Sequence, residues 1–212
     1  EKLFDDAPID IKIVPLAFIT LSNPIRENAA KTFLYFESHG VDVKVISGDN
    51  AKTVSYIASR AGIKNAGKYI DLSTLTDEEV SSDKMLEYSV FGRVSPTQKR
   101  LLIRNFKKAK HTVAMTGDGV NDVLALKDAD CSIAMASGSD AAVSVADLVL
   151  VNSDFANMPR VVDEGRRVIN NIERTASLFL VKNIFSFIMT LISIFAVTYY
   201  PLKPVQISLV SS

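Results

Sequence analysis

The chain has 212 residues, 48% of them hydrophobic, enough to bury one core and leave apolar sequence over. Its 24 Lys and Arg balance 24 Asp and Glu, so there is no net positive field to hold a nucleic-acid backbone, and nucleic acid is excluded as a partner class. The one cysteine, Cys131, sits in an apolar run without a partner in the sequence, which suits a reducing compartment and reads as a small buried hydrophobe.

Neither an initiator Met nor a basic segment followed by an apolar one opens the chain at Glu1, so a piece of a longer protein without a signal peptide is expected. Residues 11–21 are apolar and β-branched and predict a buried strand, closed by the turn-like Ser22-Asn23-Pro24. A helix over 27–38 and a strand over 41–46 follow, and Ser47-Gly48-Asp49-Asn50 then leads into a second helix over 51–61. Residues 63–84 read as a loop-rich insertion, in which Thr76 offers a cap to one short helix. The βα rhythm resumes with a strand near 89–91, a helix after Pro96 and a strand over 111–115 that ends in Thr116-Gly117-Asp118-Gly119. Two further strands, 131–135 and 147–151, alternate with short Ala-rich helical stretches. The pattern predicts a doubly wound α/β domain over 1–156, with a mostly parallel sheet covered on both faces.

Beyond Asp154, Val161, Gly165, Val168, Ile169, Ile172 and Ala176 recur at helical spacing and predict an amphipathic helix over 157–176. It runs into residues 177–200, rich in Leu, Ile, Phe and Val, with Lys182 the only formal charge. That stretch has the length of a membrane span, against the alternatives of a core helix or an oligomer seam. Residues 201–212 are left as a turn and the start of a next membrane segment. Arg160, Arg166, Arg167, Arg174 and Lys182 lie before or at the entry and only Lys203 beyond, which places the α/β domain on the cytoplasmic side. Lys182 either snorkels to the interface or serves a function at depth.

The strongest chemical signal is Thr116 to Asp122, where an apolar strand ends in a glycine turn bearing two carboxylates, Asp118 and Asp122. Ligands of doubly wound sheets collect beyond the carboxyl ends of the strands, and hard oxygens there suit Mg²⁺ shared with a phosphate. Asp-Gly and Asn-Asp also form ordinary turns and caps, a reading that fits one dipeptide better than the whole run. Ser47-Gly48-Asp49-Asn50 places a hydroxyl and backbone amides at a helix N-terminus, where phosphate binds or where Asp49 or Asn50 simply caps. Lys99, on the helix opened by Ser95-Pro96, is a solvated surface charge unless it reaches the same rim and neutralises a phosphoryl group.

Thr116 to Asp122, followed by residues 124–136 reading LALKDADCSIAMA, closely resembles the hinge motif of P-type ATPases, members of the haloacid dehalogenase-like superfamily. Ser47-Gly48-Asp49-Asn50 is similar to their Thr-Gly-Asp motif, residues 91–99 to the segment carrying their phosphate-contacting lysine, and Asn23-Pro24-Ile25-Arg26 to their Asp-Pro-x-Arg element. The resemblance implies an ATP-driven cation pump, multi-pass in the cell membrane, with the transported cation, the lipid bilayer and the rest of the same polypeptide as partners. It implies that Asp118, with Asp122, holds Mg²⁺, and that Asp122 and Asn121 steady the metal and the lysine. Lys99 would contact the phosphoryl group and Ser47 would donate to it. Gly48, Asp49 and Arg26 would lie near ATP. Asn23 stands where the family has Asp, and the family's Asp-Lys-Thr-Gly-Thr segment, whose Asp accepts the phosphoryl group, is not in this sequence. The chain by itself is therefore expected to be inactive. The ion is left between calcium and magnesium. The competing readings are a soluble dehalogenase-like phosphatase and a non-catalytic membrane-anchored module; an upstream Asp-Lys-Thr-Gly-Thr segment would dismiss both.

Overall fold

The computed structural model describes Ala17 and residues 24–196. The strand expected over 11–21, apart from Ala17, together with Asn23 and everything from residue 197 onward, lies outside the described residues. In chain order the elements are α1 (Ala29–Ser38), β1 (Val45–Ile46), α2 (Ala51–Arg60), β2 (Tyr69–Asp71), α3 (Asp77–Val80), β3 (Val90–Gly92), α4 (Pro96–Lys108), β4 (Ala114–Gly117), α5 (Val123–Asp128), β5 (Cys131–Met135), α6 (Asp140–Val145), β6 (Leu148–Leu150) and α7 (Met158–Ala196). Single 3₁₀ turns occupy Asp83–Glu87, Val120–Asp122 and Phe155–Asn157.

The strands form two three-stranded parallel sheets, ordered β1-β3-β2 and β4-β5-β6. Every pairing is parallel, so within each sheet the strand-to-helix turns leave from one edge; the Lys99–Asp122 contact from α4 to the turn after β4 brings the two edges together. The two sheets share a roof in α4. Leu102 and Phe106 pack into a core with Phe91, Leu72, Val80 and Met85, while Ile103 packs with Met115, Ala125, Leu126 and Ala142. Ile46 at the end of β1 and Val113 before β4 touch both clusters, which puts the seam between the sheets under this one helix.

Local chemistry explains where the elements begin and end. The α4 helix opens with a capping box, in which Ser95 Oγ accepts from Gln98 N and Gln98 Oε1 accepts from Ser95 N, with Pro96 in the first turn. Thr76 and Glu79 make the same reciprocal pair before α3, as expected for that cap. The helix expected from residue 27 starts at Ala29. The strand expected over 41–46 shortens to Val45–Ile46 because Val41 N donates back to Phe36 O and closes α1. Likewise His111 N donates to Phe106 O, and Lys110 takes a left-handed φ of 69°, so the next strand starts at Ala114 and not at residue 111. The strand expected over 147–151 is Leu148–Leu150; the Asp147 carboxylate accepts from Ser132 N and Oγ at 2.8 Å each, which anchors its start. Within the segment read as loop-rich, β2 pairs with β3, an element too short and too exposed at Tyr69 to show alternation.

From Met158 a single unbroken helix of 39 residues joins the amphipathic stretch expected over 157–176 to the apolar one expected from 177, which it follows as far as Ala196. Its most apolar window has a mean hydropathy of 2.1 and is not buried by the rest of the chain. By length and composition it is long and apolar enough to cross a membrane.

Candidate active site

The site is assembled where β1, β3, β4 and β5 end. Ser47 follows β1 and its carbonyl accepts from Val94 N at 3.0 Å, which ties this turn to the residue before the Ser95 cap of α4. Within the turn, Asp49 N donates to Ser47 Oγ at 3.1 Å, and Asn50 Oδ1 accepts from Lys52 N and Thr53 N to cap α2. The cap is thus Asn50, which leaves Gly48 and Asp49 exposed at the rim. Arg93 is held at a left-handed φ of 50°, with its N–H on Asp49 O at 2.8 Å. A non-glycine residue in that region is strained, and here it draws the β3 turn against the β1 turn.

One turn into α4, Lys99 Nζ meets Asp122 Oδ1 at 2.7 Å. Both side chains are largely withdrawn from water, at 13% and 10% exposure, so this is a desolvated ion pair with the strength and fragility of one. The second oxygen of Asp122 accepts from Gly119 N at 3.2 Å. A Cβ at Gly117 would run into the Asp122 side chain, so the glycine is what allows the carboxylate to fold back under the turn. Asp118 has the opposite disposition. Its side chain is exposed, while its carbonyl accepts from Ser139 N at 2.7 Å, and a Cβ at Gly138 would strike the Asp118 backbone. The turn after β5 therefore closes directly on Asp118 and fixes its backbone.

Of the residues singled out in the sequence, the structure brings Lys99 and Asp122 into contact and joins the Ser47–Asp49 turn to the start of the Lys99 helix. Asn121 is exposed beside them. Arg26 is tied to the turn after β6: its Nη1 donates to Ser153 O at 3.1 Å and Asp154 Oδ1 at 3.4 Å. Among the described residues no group of three or more His, Cys, Asp and Glu side chains could hold a metal ion. What the rim offers a hard cation is the exposed Asp118 carboxylate, backed by Asp122. That donor set fits Mg²⁺, which binds through one or two carboxylates and completes its shell with phosphate and water.

Comparison with known proteins accords with this geometry. The sequence profile of haloacid dehalogenase-like hydrolases matches residues 2–130. The chain belongs to that family. This haloacid dehalogenase-like chain is 48% identical over 211 residues to the probable cation-transporting ATPase exp7 of Streptococcus pneumoniae, covering 96% of the chain and 27% of that protein. It is 49% identical over 189 residues to the calcium-transporting ATPase CtpE of Mycobacterium tuberculosis, covering 89% of the chain and 24% of that protein. The chain thus spans about a quarter of the curated relatives it matches. A zinc-transporting PIB-type ATPase in the E2.Pi state shares the fold, with a TM-score of 0.66 at 21% identity over 89% of this chain and 27% of that one.

A second charged cluster in this dehalogenase-like domain has no signature in the sequence. Asp128 Oδ2 accepts from Arg100 Nε at 2.7 Å and Arg104 Nε at 2.6 Å, while Lys107 pairs with Asp130 at 2.9 Å and donates to Asp128 O. Along α4 alone, these residues form an ordinary solvated stripe; only the α4–α5 packing gives them partners. Burial raises the Asp128 pKa, but the two guanidinium hydrogen bonds outweigh it and hold the carboxyl below its usual range. The folded-state pKa is therefore depressed, so the pair's stabilisation is fully present above the ordinary carboxylate value of about 3.9 and is lost as pH falls through the lower folded one. Asp128→Asn is expected to lower stability at pH 7 by about 2 kcal/mol. The deficit should shrink toward zero when thermal unfolding is repeated well below a pH of about 3.9. An equal deficit at both pH values would show that the carboxylate charge is not what matters.

Proposed function

We propose that this chain is the rear part of the phosphorylation domain of a P-type cation pump, that its rim binds the transferring phosphoryl group of ATP, and that calcium is the transported ion. The observation that carries the reading is the Lys99–Asp122 pair, desolvated at a rim shared by the Ser47 turn and the exposed Asp118.

On this reading Asp118 holds Mg²⁺, with Asp122 behind it, and the bound ion supplies charge neutralisation at the phosphoryl oxygens. Lys99 presents a preorganised positive charge to the same oxygens, and Asp122 keeps that ammonium aimed. Ser47 donates its hydroxyl, and the amide of Gly48 lies at the α2 N-terminus where an anion is favoured. The γ-phosphoryl group passes to an Asp supplied by the rest of the polypeptide, the P–O bond to ADP breaking as the bond to the carboxylate forms. The bare edges that β1 and β4 present among the described residues, both ending at the site and both roofed by α4, suit a strand bearing that nucleophile between them. The apolar α7 extends the domain into the bilayer, with the α/β domain on the cytoplasmic side.

The ion follows from the relative named a calcium-transporting ATPase. Membrane vesicles carrying the intact protein are expected to accumulate ⁴⁵Ca²⁺ when given ATP and Mg²⁺, and to lose that uptake with a calcium ionophore. ATP hydrolysis stimulated by another cation, with no calcium uptake, would overturn the choice of ion.

A further inference from the structure

The helix that leaves the domain is held over a very short length. Met158 is buried with Phe36, Ile133 and Leu150, and Phe155 and Val162 pack on the same cluster. The Phe155 ring lies 5.7 Å from Phe36 and 6.4 Å from Phe33. From Asp163 to Ile188 every side chain of α7 is exposed. At that point of departure Tyr35 Oη donates to Asp163 Oδ1 at 2.6 Å. Among the described residues it is the one side-chain hydrogen bond from α7 to the rest of the chain; the others stay within the helix.

Tyr35 is well placed to bear load. Its ring stacks on His39 at 4.1 Å and meets Phe36 edge-on at 5.6 Å. The last turn of α1 is tied to it, since Ser38 Oγ donates to Tyr35 O and His39 Nδ1 lies 2.7 Å from the same carbonyl. At the other end of α1, Arg26 grips Ser153 and Asp154, and Asp154 caps the turn that leads into α7. The α1 helix is therefore fastened on both sides of the point where α7 begins. The Asp163 carboxylate also raises the phenol pKa above its ordinary value.

We infer that Tyr35 is a positioning residue whose hydroxyl, by holding Asp163, sets the angle at which α7 leaves the α/β domain and so couples the rim site to the membrane helix. Apolar contacts up to Val162 resist separation but have little directional preference, so they act as a pivot; a hydrogen bond to a charged acceptor at the pivot's outer edge removes the freedom to tilt. The lever is long. From Asp163 to Ala196 the helix runs about 50 Å, so a tilt of about 5° at the domain displaces its far end by about 4 Å. The coupling half of this inference rests on the pump reading; the angle does not.

The test uses the intact protein in nanodiscs with its native cysteines, Cys131 included, replaced by Ser and spin labels at the exposed positions Lys127 and Arg174, in wild-type, Tyr35→Phe, Asp163→Ala and Asp163→Asn backgrounds. Tyr35→Phe keeps the ring packing and removes only the donor. It and Asp163→Ala are each expected to broaden the inter-label distance distribution and to lower calcium transported per phosphoenzyme formed three- to tenfold, while phosphoenzyme levels stay within twofold of wild type. Asp163→Asn retains an acceptor and should stay close to wild type in both. Unchanged distances in Tyr35→Phe would overturn the inference, as would a parallel fall in phosphoenzyme, which would place the effect at the rim. Broadened distances in a protein whose parent forms no phosphoenzyme would support the strut and sink the pump reading instead.

Discussion

Asp118→Asn in the intact pump is expected to remove Mg²⁺-dependent phosphorylation almost completely, a loss of at least about a hundredfold at millimolar Mg²⁺. The side chain is exposed at the end of β4 while the backbone beneath it is clamped by Ser139 and the close approach of Gly138. Substitution by the isosteric amide should therefore leave the fold alone and remove one negative charge from a fixed place. Mg²⁺ demands a near-ideal shell of hard oxygens and accepts an amide poorly in place of a carboxylate. The loss should appear as a rightward shift of the Mg²⁺ titration before it appears as a lower plateau. A wild-type titration midpoint in Asp118→Asn would show that another group holds the metal.

Lys99→Ala should fail differently. The metal site is left standing, so the Mg²⁺ midpoint should change little, but one preorganised charge is lost from the phosphoryl oxygens. Removal of such a group typically costs about 3 kcal/mol of transition-state stabilisation, about a hundredfold in rate. A second penalty follows from burial. Among the described residues Asp122 keeps only the Gly119 amide as partner, and breaking a buried pair from one side costs about 3 kcal/mol or more of stability. The two effects separate in a double variant. Lys99→Met with Asp122→Leu replaces both charges by apolar groups and should recover most of the stability with none of the phosphorylation. Recovered phosphorylation in that variant would reduce the pair to a structural contact.

How much of this was legible beforehand depended on whether the deciding partner lay nearby in sequence. The caps at Thr76 and Ser95 were readable because both halves of each capping box lie within one turn. The glycine turn from Thr116 to Asp122 and the parallel βα rhythm were readable for the same reason. Strand ends were not, because Val41 and His111 are spent on closing the preceding helices, a choice that apolar pattern does not reveal. The division into two three-stranded sheets was also hidden, since periodicity says nothing of which strands pair. At the site, Ser47 and Asp118 announce themselves as strand-end turns, whereas Lys99 on its own helix is indistinguishable from a surface lysine. Its identity depends on Asp122, reached only when α4 packs on α5. Arg26 and Tyr35 show the limit most clearly: their partners Asp154 and Asp163 each lie 128 residues away, and no local pattern points to either.

The central claim is that the rim formed by Ser47, Lys99, Asp118 and Asp122 serves phosphoryl transfer from ATP to a carboxylate of the same polypeptide. It is tested most directly by acid-quenching the intact protein after brief exposure to γ-³²P-ATP over a range of Mg²⁺ concentrations. The account predicts a Mg²⁺-dependent, acid-stable and hydroxylamine-sensitive label that disappears in Asp118→Asn and falls about a hundredfold in rate in Lys99→Ala. A label that forms without Mg²⁺, resists hydroxylamine, or forms as fast in both variants as in wild type would contradict it.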